Sequence, residues 1–138
     1  MGTEHVSMRL DSELAREIKE IATRQGRSTS YVIKRLIEEG LRMHCHPGII
    51  FTDAPGGRRT VVAGTGLAVF EVVQLWLSCR KKNERVLELL SHINRTQLEA
   101  ALSYYRAYQR EIEQEIKENS LSVRDILKRY PFIKVVKV

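Results

Sequence analysis

Long apolar runs, paired cysteines and catalytic signatures are what this 138-residue chain has little of. Its longest uncharged apolar run, Val72 to Cys79, is interrupted by Gln74 and falls far short of the roughly 18 apolar residues a spanning helix needs, which excludes a helical membrane protein. The first fourteen residues already carry Glu4, Arg9, Asp11 and Glu13 where a secretory signal would have an apolar core, so a cytoplasmic protein is expected. Two cysteines, Cys45 and Cys79, are too few for a disulfide scaffold and read as free thiols. Nucleophile elbows, phosphate-binding Walker loops and metalloprotease helices are missing, and acidic runs such as Glu13-Glu17-Glu20 and Glu111-Glu115-Glu118 read as solubilising helix faces. Neither an enzyme nor a cofactor is expected. His44, Cys45, His46, Cys79 and His92 lack the C-x₂-C or H-x₃-H spacing of a metal site, and a His-Cys-His beside a proline reads as a polar linker.

What is present is basic charge, 23 Lys and Arg against 17 Asp and Glu, and it is unevenly spread. Residues 67–119 balance at eight of each sign, whereas residues 120–138 hold five basic residues against one acidic. A basic total is weak evidence for a nucleic-acid partner, so local pattern has to carry the argument.

Residues 5–10 alternate, with Val6, Met8 and Leu10 on one side and His5, Ser7 and Arg9 on the other, the period of a strand with one buried face. Asp11 can cap a helix striped by Leu14, Ile18, Ile21 and Ala22; Gly26 ends it. Ser28-Thr29-Ser30 opens a second helix striped by Val32, Ile33, Leu36, Ile37 and Leu41. A lone strand has nothing to pair with, and two single-striped helices make a small core, so about 40 residues of this kind require a partner, most simply a second copy.

The order strand, helix, turn, helix, carried by His5-Val-Ser-Met-Arg-Leu-Asp11, Gly26-Arg27-Ser28 and Ile33-Lys-Arg-Leu-Ile-Glu-Glu-Gly40-Leu41, resembles the ribbon-helix-helix family of CopG, Arc and MetJ-like repressors. The resemblance implies an intertwined homodimer, assembling further on DNA in some cases, whose paired strands enter the major groove of double-stranded DNA. His5, Ser7 and Arg9 would then read bases, Arg9 through guanine O6 and N7. The alternative is a merely solvated strand face. The resemblance also implies that Arg27, Ser28 and Thr29, at the positive end of the second helix, contact phosphates.

His44-Cys45-His46-Pro47 breaks the helical pattern, dividing the chain into residues 1–43, a linker at 44–48 and a second domain at 49–118. Ile49–Thr52 and Arg59–Ala63 flank a Pro55-Gly56-Gly57 turn, predicting a β-hairpin with Arg58 and Arg59 near its tip. Three helices are expected after it. The first is lined by Val69, Val72, Val73, Trp76 and Leu77, and the second is capped by Asn83. The third opens on a Thr96-to-Glu99 capping box and runs to about Glu118, with Tyr104, Tyr105 and Tyr108 as core and rim. Gly64-Thr65-Gly66-Leu67-Ala68-Val69 followed by Thr96-Gln97-Leu98-Glu99-Ala100-Ala101-Leu102-Ser103-Tyr104 resembles a family of small winged-helix, antitoxin-like proteins, with Gly66 and Ala68 where members often carry Arg or Pro. The expected fold class is therefore mainly α with short β, a ribbon-helix-helix segment followed by a winged-helix domain.

Arg80-Lys81-Lys82, between two of those helices, is a charge run that is ordinarily just solvated, but with Arg58 and Arg59 it can form a second phosphate-contacting patch. The last stretch, residues 119–138, reads as a short basic helix stopped by Pro131 and then a strand. Its Arg124, Lys128, Tyr130, Phe132 and Val135 combine charge with apolar anchors, a suitable set for a protein partner, although the strand can equally complete the hairpin as a third strand. Taken together these features point to a sequence-specific DNA-binding repressor. An antitoxin that regulates its own operon and binds a toxin is one form; a stand-alone regulator or nucleoid-associated protein is the other.

Overall fold

The computed structural model describes residues 2–119 and Lys128. The chain divides into two compact units, the first up to Leu41 and the second from Arg42 onward.

The first unit is two helices and an extended arm. Helix α1, Ser12–Gln25, begins where expected because the Asp11 side chain accepts the Leu14 N–H at 2.9 Å. It ends in a Schellman motif. Gly26 adopts φ 62°, its N–H reaches Thr23 O at 3.3 Å, and the Arg27 N–H reaches Ala22 O at 3.0 Å. Helix α2, Thr29–Cys45, is capped by Ser28, whose Oγ accepts the Tyr31 N–H at 3.1 Å. Only Ile18, Ala22 and Val32 form its buried centre, with Leu10, Ile21 and Ile33 packed at the margin. Glu39 is also buried, its carboxylate 3.8 Å from the Arg35 guanidinium, a buried charge that the apolar stripe gave no sign of.

Residues 2–10 form no strand in the single chain. The physical reason is the one that calls for a partner: an extended backbone needs a neighbouring backbone for its N–H and C=O groups, and a lone arm has none.

The second unit opens with the expected hairpin, strands β1 (Ile49–Ala54) and β2 (Gly57–Val62) pairing antiparallel with Ile49 opposite Val62 and Ala54 opposite Gly57. Helices α3 (Val69–Ser78), α4 (Asn83–Leu89), α5 (Arg95–Ala107) and α6 (Gln109–Asn119) follow. One core joins them, in which Ile49, Val62, Phe70, Val73, Leu75, Leu90, Leu98, Tyr104 and Ile112 are almost fully buried. Tyr104 and Tyr105 are core residues and Tyr108 packs at the rim, so none of the three presents a free ring face for base stacking.

Several local expectations need correction. The helix expected to run unbroken to Glu118 is two helices, because Tyr108 leaves the helical region (φ −128°, ψ 45°). Neither glycine nor proline marks that break. It is a tertiary effect that buries Ile112 and brings Glu113 to the Tyr105 hydroxyl at 2.9 Å. Asn83 is the first residue of α4 and not its cap; its side chain instead accepts the Trp76 indole N–H at 2.8 Å. The reciprocal box at the start of α5 lies two residues earlier than expected, between Asn94 and Gln97, with bonds of 2.8 and 2.9 Å. Leu77, expected inward on α3, is 38% exposed. Glu111 and Glu115 are more than a solubilising face: Glu111 is ion-paired, and burial, with Glu111 adding repulsion, pushes the Glu115 carboxyl pKa up against the pull of Arg59.

Gly48 enters β1 at φ 92°, and a Cβ there would lie 3.3 Å from the Ala100 Cβ. Gly48→Ala should therefore destabilise the second unit by about 1–3 kcal/mol, measured as a lower thermal or urea midpoint at unchanged slope. An unaltered midpoint would contradict the close packing of β1 on α5.

Candidate nucleic-acid interface

His5, Ser7 and Arg9 all lie in the extended arm and all are exposed. The intervening Val6 and Met8 are exposed as well, at 74% and 64%. Alternation of polar and apolar side chains is thus present without anything covering the apolar set. On α2, Leu36, Ile37 and Leu41 are exposed in the same way. Apolar side chains left uncovered on both the arm and a helix of a unit with so small a centre offer a surface that a second copy could cover.

At the start of α2 the first turn contains no acidic residue, so nothing offsets the positive end of the helix dipole. The Tyr31 N–H is taken by Ser28 Oγ and the Val32 N–H by Ser28 O at 3.2 Å, while Thr29 and Ser30 use theirs with no partner among the described residues. Arg27 is exposed, and its guanidinium lies 4.8 Å from the Tyr31 ring centroid. Tyr31 is an addition to the expected set, since its ring carries the Arg27 guanidinium and it is neither a charged nor a capping residue. The group can bind a phosphate through backbone N–H groups, a hydroxyl and a cation together.

The second expected patch is not one surface of free cations. Arg58 is tied to Asp53 across the hairpin at 2.8 Å, and Arg59 is half-buried with its guanidinium 5.6 Å from the Phe70 ring. Arg80, Lys81 and Lys82 are exposed on the turn between α3 and α4. Of the tail residues, Lys128 is helical and exposed; Arg124, Tyr130, Phe132 and Val135 lie outside the described residues.

Among the described residues no group of three His, Cys, Asp or Glu is placed to hold a metal ion. The His46 ring stands edge-on to Tyr104 and Tyr108 at 5.3 and 5.7 Å, a packing role. Cys45 and Cys79 are free thiols; burial pushes the Cys79 thiol pKa up, opposed by Arg85.

A polar cluster that sequence reasoning missed lies in the second unit. Arg42 donates to the Tyr104 hydroxyl and to the Glu111 carboxylate, each at 2.7 Å, and its guanidinium stacks 4.0 Å from the Tyr108 ring centroid. Burial opposes the Arg42 charge, but its hydrogen bonds to Glu111 and Tyr104 outweigh that and raise its pKa further above the usual value. Burial also raises the Tyr104 hydroxyl pKa, against hydrogen bonds from Thr60 and Arg42 that lower it. A fully paired, stacked arginine is structural. No sequence signal could have found it, since Arg42 and Glu111 are 69 residues apart.

The N-terminal unit thus joins an extended arm with alternating faces, a capped helix start with a neighbouring arginine and an uncovered apolar surface. Residues 4–42 match the family model described as "Ribbon-helix-helix protein, copG family". The match supports that fold for the N-terminal segment, a fold that is not catalytic and that binds double-stranded DNA as a homodimer. No curated protein and no solved structure matches the chain. Among the described residues no helix is long and apolar enough to cross a membrane.

Placing charges on the apolar side of the arm tests the dimer surface. The double variant Val6→Asp/Met8→Asp should sediment as a monomer at micromolar concentrations where the parent chain is a dimer. Retention of the dimer would show that the arm does not form the ribbon.

Proposed function

We propose that this protein is a sequence-specific DNA-binding repressor, in which two arms pair into an antiparallel ribbon that lies in the major groove. The observation that carries the proposal is the arm itself, where exposed His5, Ser7 and Arg9 alternate with uncovered Val6 and Met8 directly before a capped helix. Pairing two such arms buries Val6 and Met8 and leaves three polar side chains of each copy on the outer face. Arg9 takes guanine O6 and N7 as a fork, Ser7 serves either base type, and His5 donates to an acceptor or a phosphate. Arg27, Ser28 and Thr29 grip the phosphate backbone and set the register of the ribbon without reading sequence.

The biological form we favour is an antitoxin that represses its own operon. Its support is the resemblance of the second unit to winged-helix antitoxin-like proteins, together with the basic residues 120–138. In this reading Arg124, Lys128, Tyr130, Phe132 and Val135 bind an acidic partner protein. Deletion after Asn119 should abolish co-purification of that partner at unchanged melting temperature. A lower melting temperature with partner binding intact would instead give the tail a structural role, as a third strand of the hairpin, and favour a stand-alone regulator.

Base reading and phosphate gripping fail differently on mutation. Arg9→Ala should cost about 1–3 kcal/mol on the operator and relax one base position in each half-site. Arg27→Ala should weaken all duplexes alike and flatten the dependence of log K on log salt by about one. Equal loss from operator and random DNA on Arg9→Ala would reassign Arg9 to the phosphates.

A further inference from the structure

Two helices of this chain end in the same backbone motif, and they fill its critical position differently. At α1 the left-handed position is Gly26, at φ 62°. At α3 the Arg80 N–H reaches Leu77 O at 3.1 Å and the Lys81 N–H reaches Trp76 O at 2.8 Å, the same pair of Schellman bonds, but the left-handed position is Arg80, at φ 55°. Lys81 follows at φ 62°, and among the described residues these two are the only non-glycine residues with positive φ. A Cβ makes that conformation costly, and glycine is the residue that relieves it, as Gly26 does. The turn thus carries strain at two successive positions, and both are cations.

The surroundings keep those cations available. Lys82, exposed like Arg80 and Lys81, adds a third charge, and its N–H is bonded to Cys79 O at 3.1 Å, so three successive N–H groups lock the turn. Glu84, two residues on, is engaged by Arg95, and Glu88 by Arg85 at 3.0 Å. Lys81 rests against the Trp76 ring, 5.7 Å from its centroid, and no ion pair to Arg80, Lys81 or Lys82 is found among the described residues. Arg58 and Arg59, the other half of the expected patch, are held by Asp53 and Phe70.

We infer that the Arg80-Lys81-Lys82 turn is a second DNA contact, a preformed cationic knuckle that takes backbone phosphates without reading sequence. This rests on the DNA-binding reading of the protein and narrows its second patch to one turn. A duplex is favoured over an acidic protein because it offers closely and regularly spaced phosphates to a rigid row of charges, and counterion release rewards each phosphate neutralised. Backbone strain retained where glycine would remove it is explained by the side chains the position presents.

The test uses the full chain, a random-sequence duplex, and two double variants, Arg80→Gly/Lys81→Gly and Arg80→Gln/Lys81→Gln. The glycine variant should melt higher than the parent because it relieves the turn, yet bind the duplex about tenfold more weakly, with the slope of log K against log salt reduced by about two. The glutamine variant should lose the same affinity and slope without the gain in melting temperature. Unchanged duplex affinity and slope in both variants would overturn the inference and leave the repressor reading standing. So would a loss confined to a polyglutamate probe, which would assign the turn to an acidic protein. A parent chain with no affinity for any duplex would overturn both readings.

Discussion

An extended backbone segment cannot satisfy its own hydrogen-bonding groups, and the N-terminal unit of this protein is organised around that constraint. Residues 2–10 are spaced as a strand and stand as an arm. The helices they precede enclose only Ile18, Ala22 and Val32, and leave Ile37 and Leu41 more than half exposed. Each deficit has the same remedy, a second copy that supplies both the missing strand and the missing apolar cover. In the proposed DNA-binding reading, the period of two would place the side chains that alternate with the covered ones outward together.

The second unit obeys a different constraint, the pairing of polar groups within a dense core. Tyr104 is fully buried in the core, its ring beside His46 and Tyr108, and its hydroxyl needs a partner there. Arg42 supplies it and is itself satisfied by Glu111 and the Tyr108 ring. The break at Tyr108 makes this possible, because a straight helix through 95–119 would not bury Ile112 and meet Arg42 from the same turn. A break between two helices, a buried hydroxyl and an ion pair are here one solution to one packing problem.

Charge on this protein has to be judged by its partners. Arg42, Arg58, Arg85 and Arg95 each have a carboxylate, whereas Arg27 stacks on Tyr31 beside unpaired N–H groups. The net excess of basic residues therefore says less than which cations are paired and which are not. Among the described residues, Arg27 and the Arg80-Lys81-Lys82 row are in the second group, each beside a helix end.

Features that depend on spacing along the chain were legible in the sequence. The Asp11 cap, the Gly26 stop, the Ser28 start and the hairpin around Pro55 and Gly56 follow from the residues at those positions and their neighbours. The alternation of residues 5–10 assigns His5, Ser7 and Arg9 to one side in the sequence, but in the single chain no strand forms and Val6 and Met8 are exposed as well. The division of α5 from α6 and the Arg42 cluster were decided only when distant segments packed, and the capture of Asn83 by Trp76 and the burial of Glu39 were likewise not legible in the spacing. The left-handed turn at Arg80 and Lys81 was not legible either, because cations are poor candidates for that conformation. Local periodicity encodes which face is buried; the pairing of charges and the placing of strain depend on which residues meet across the fold.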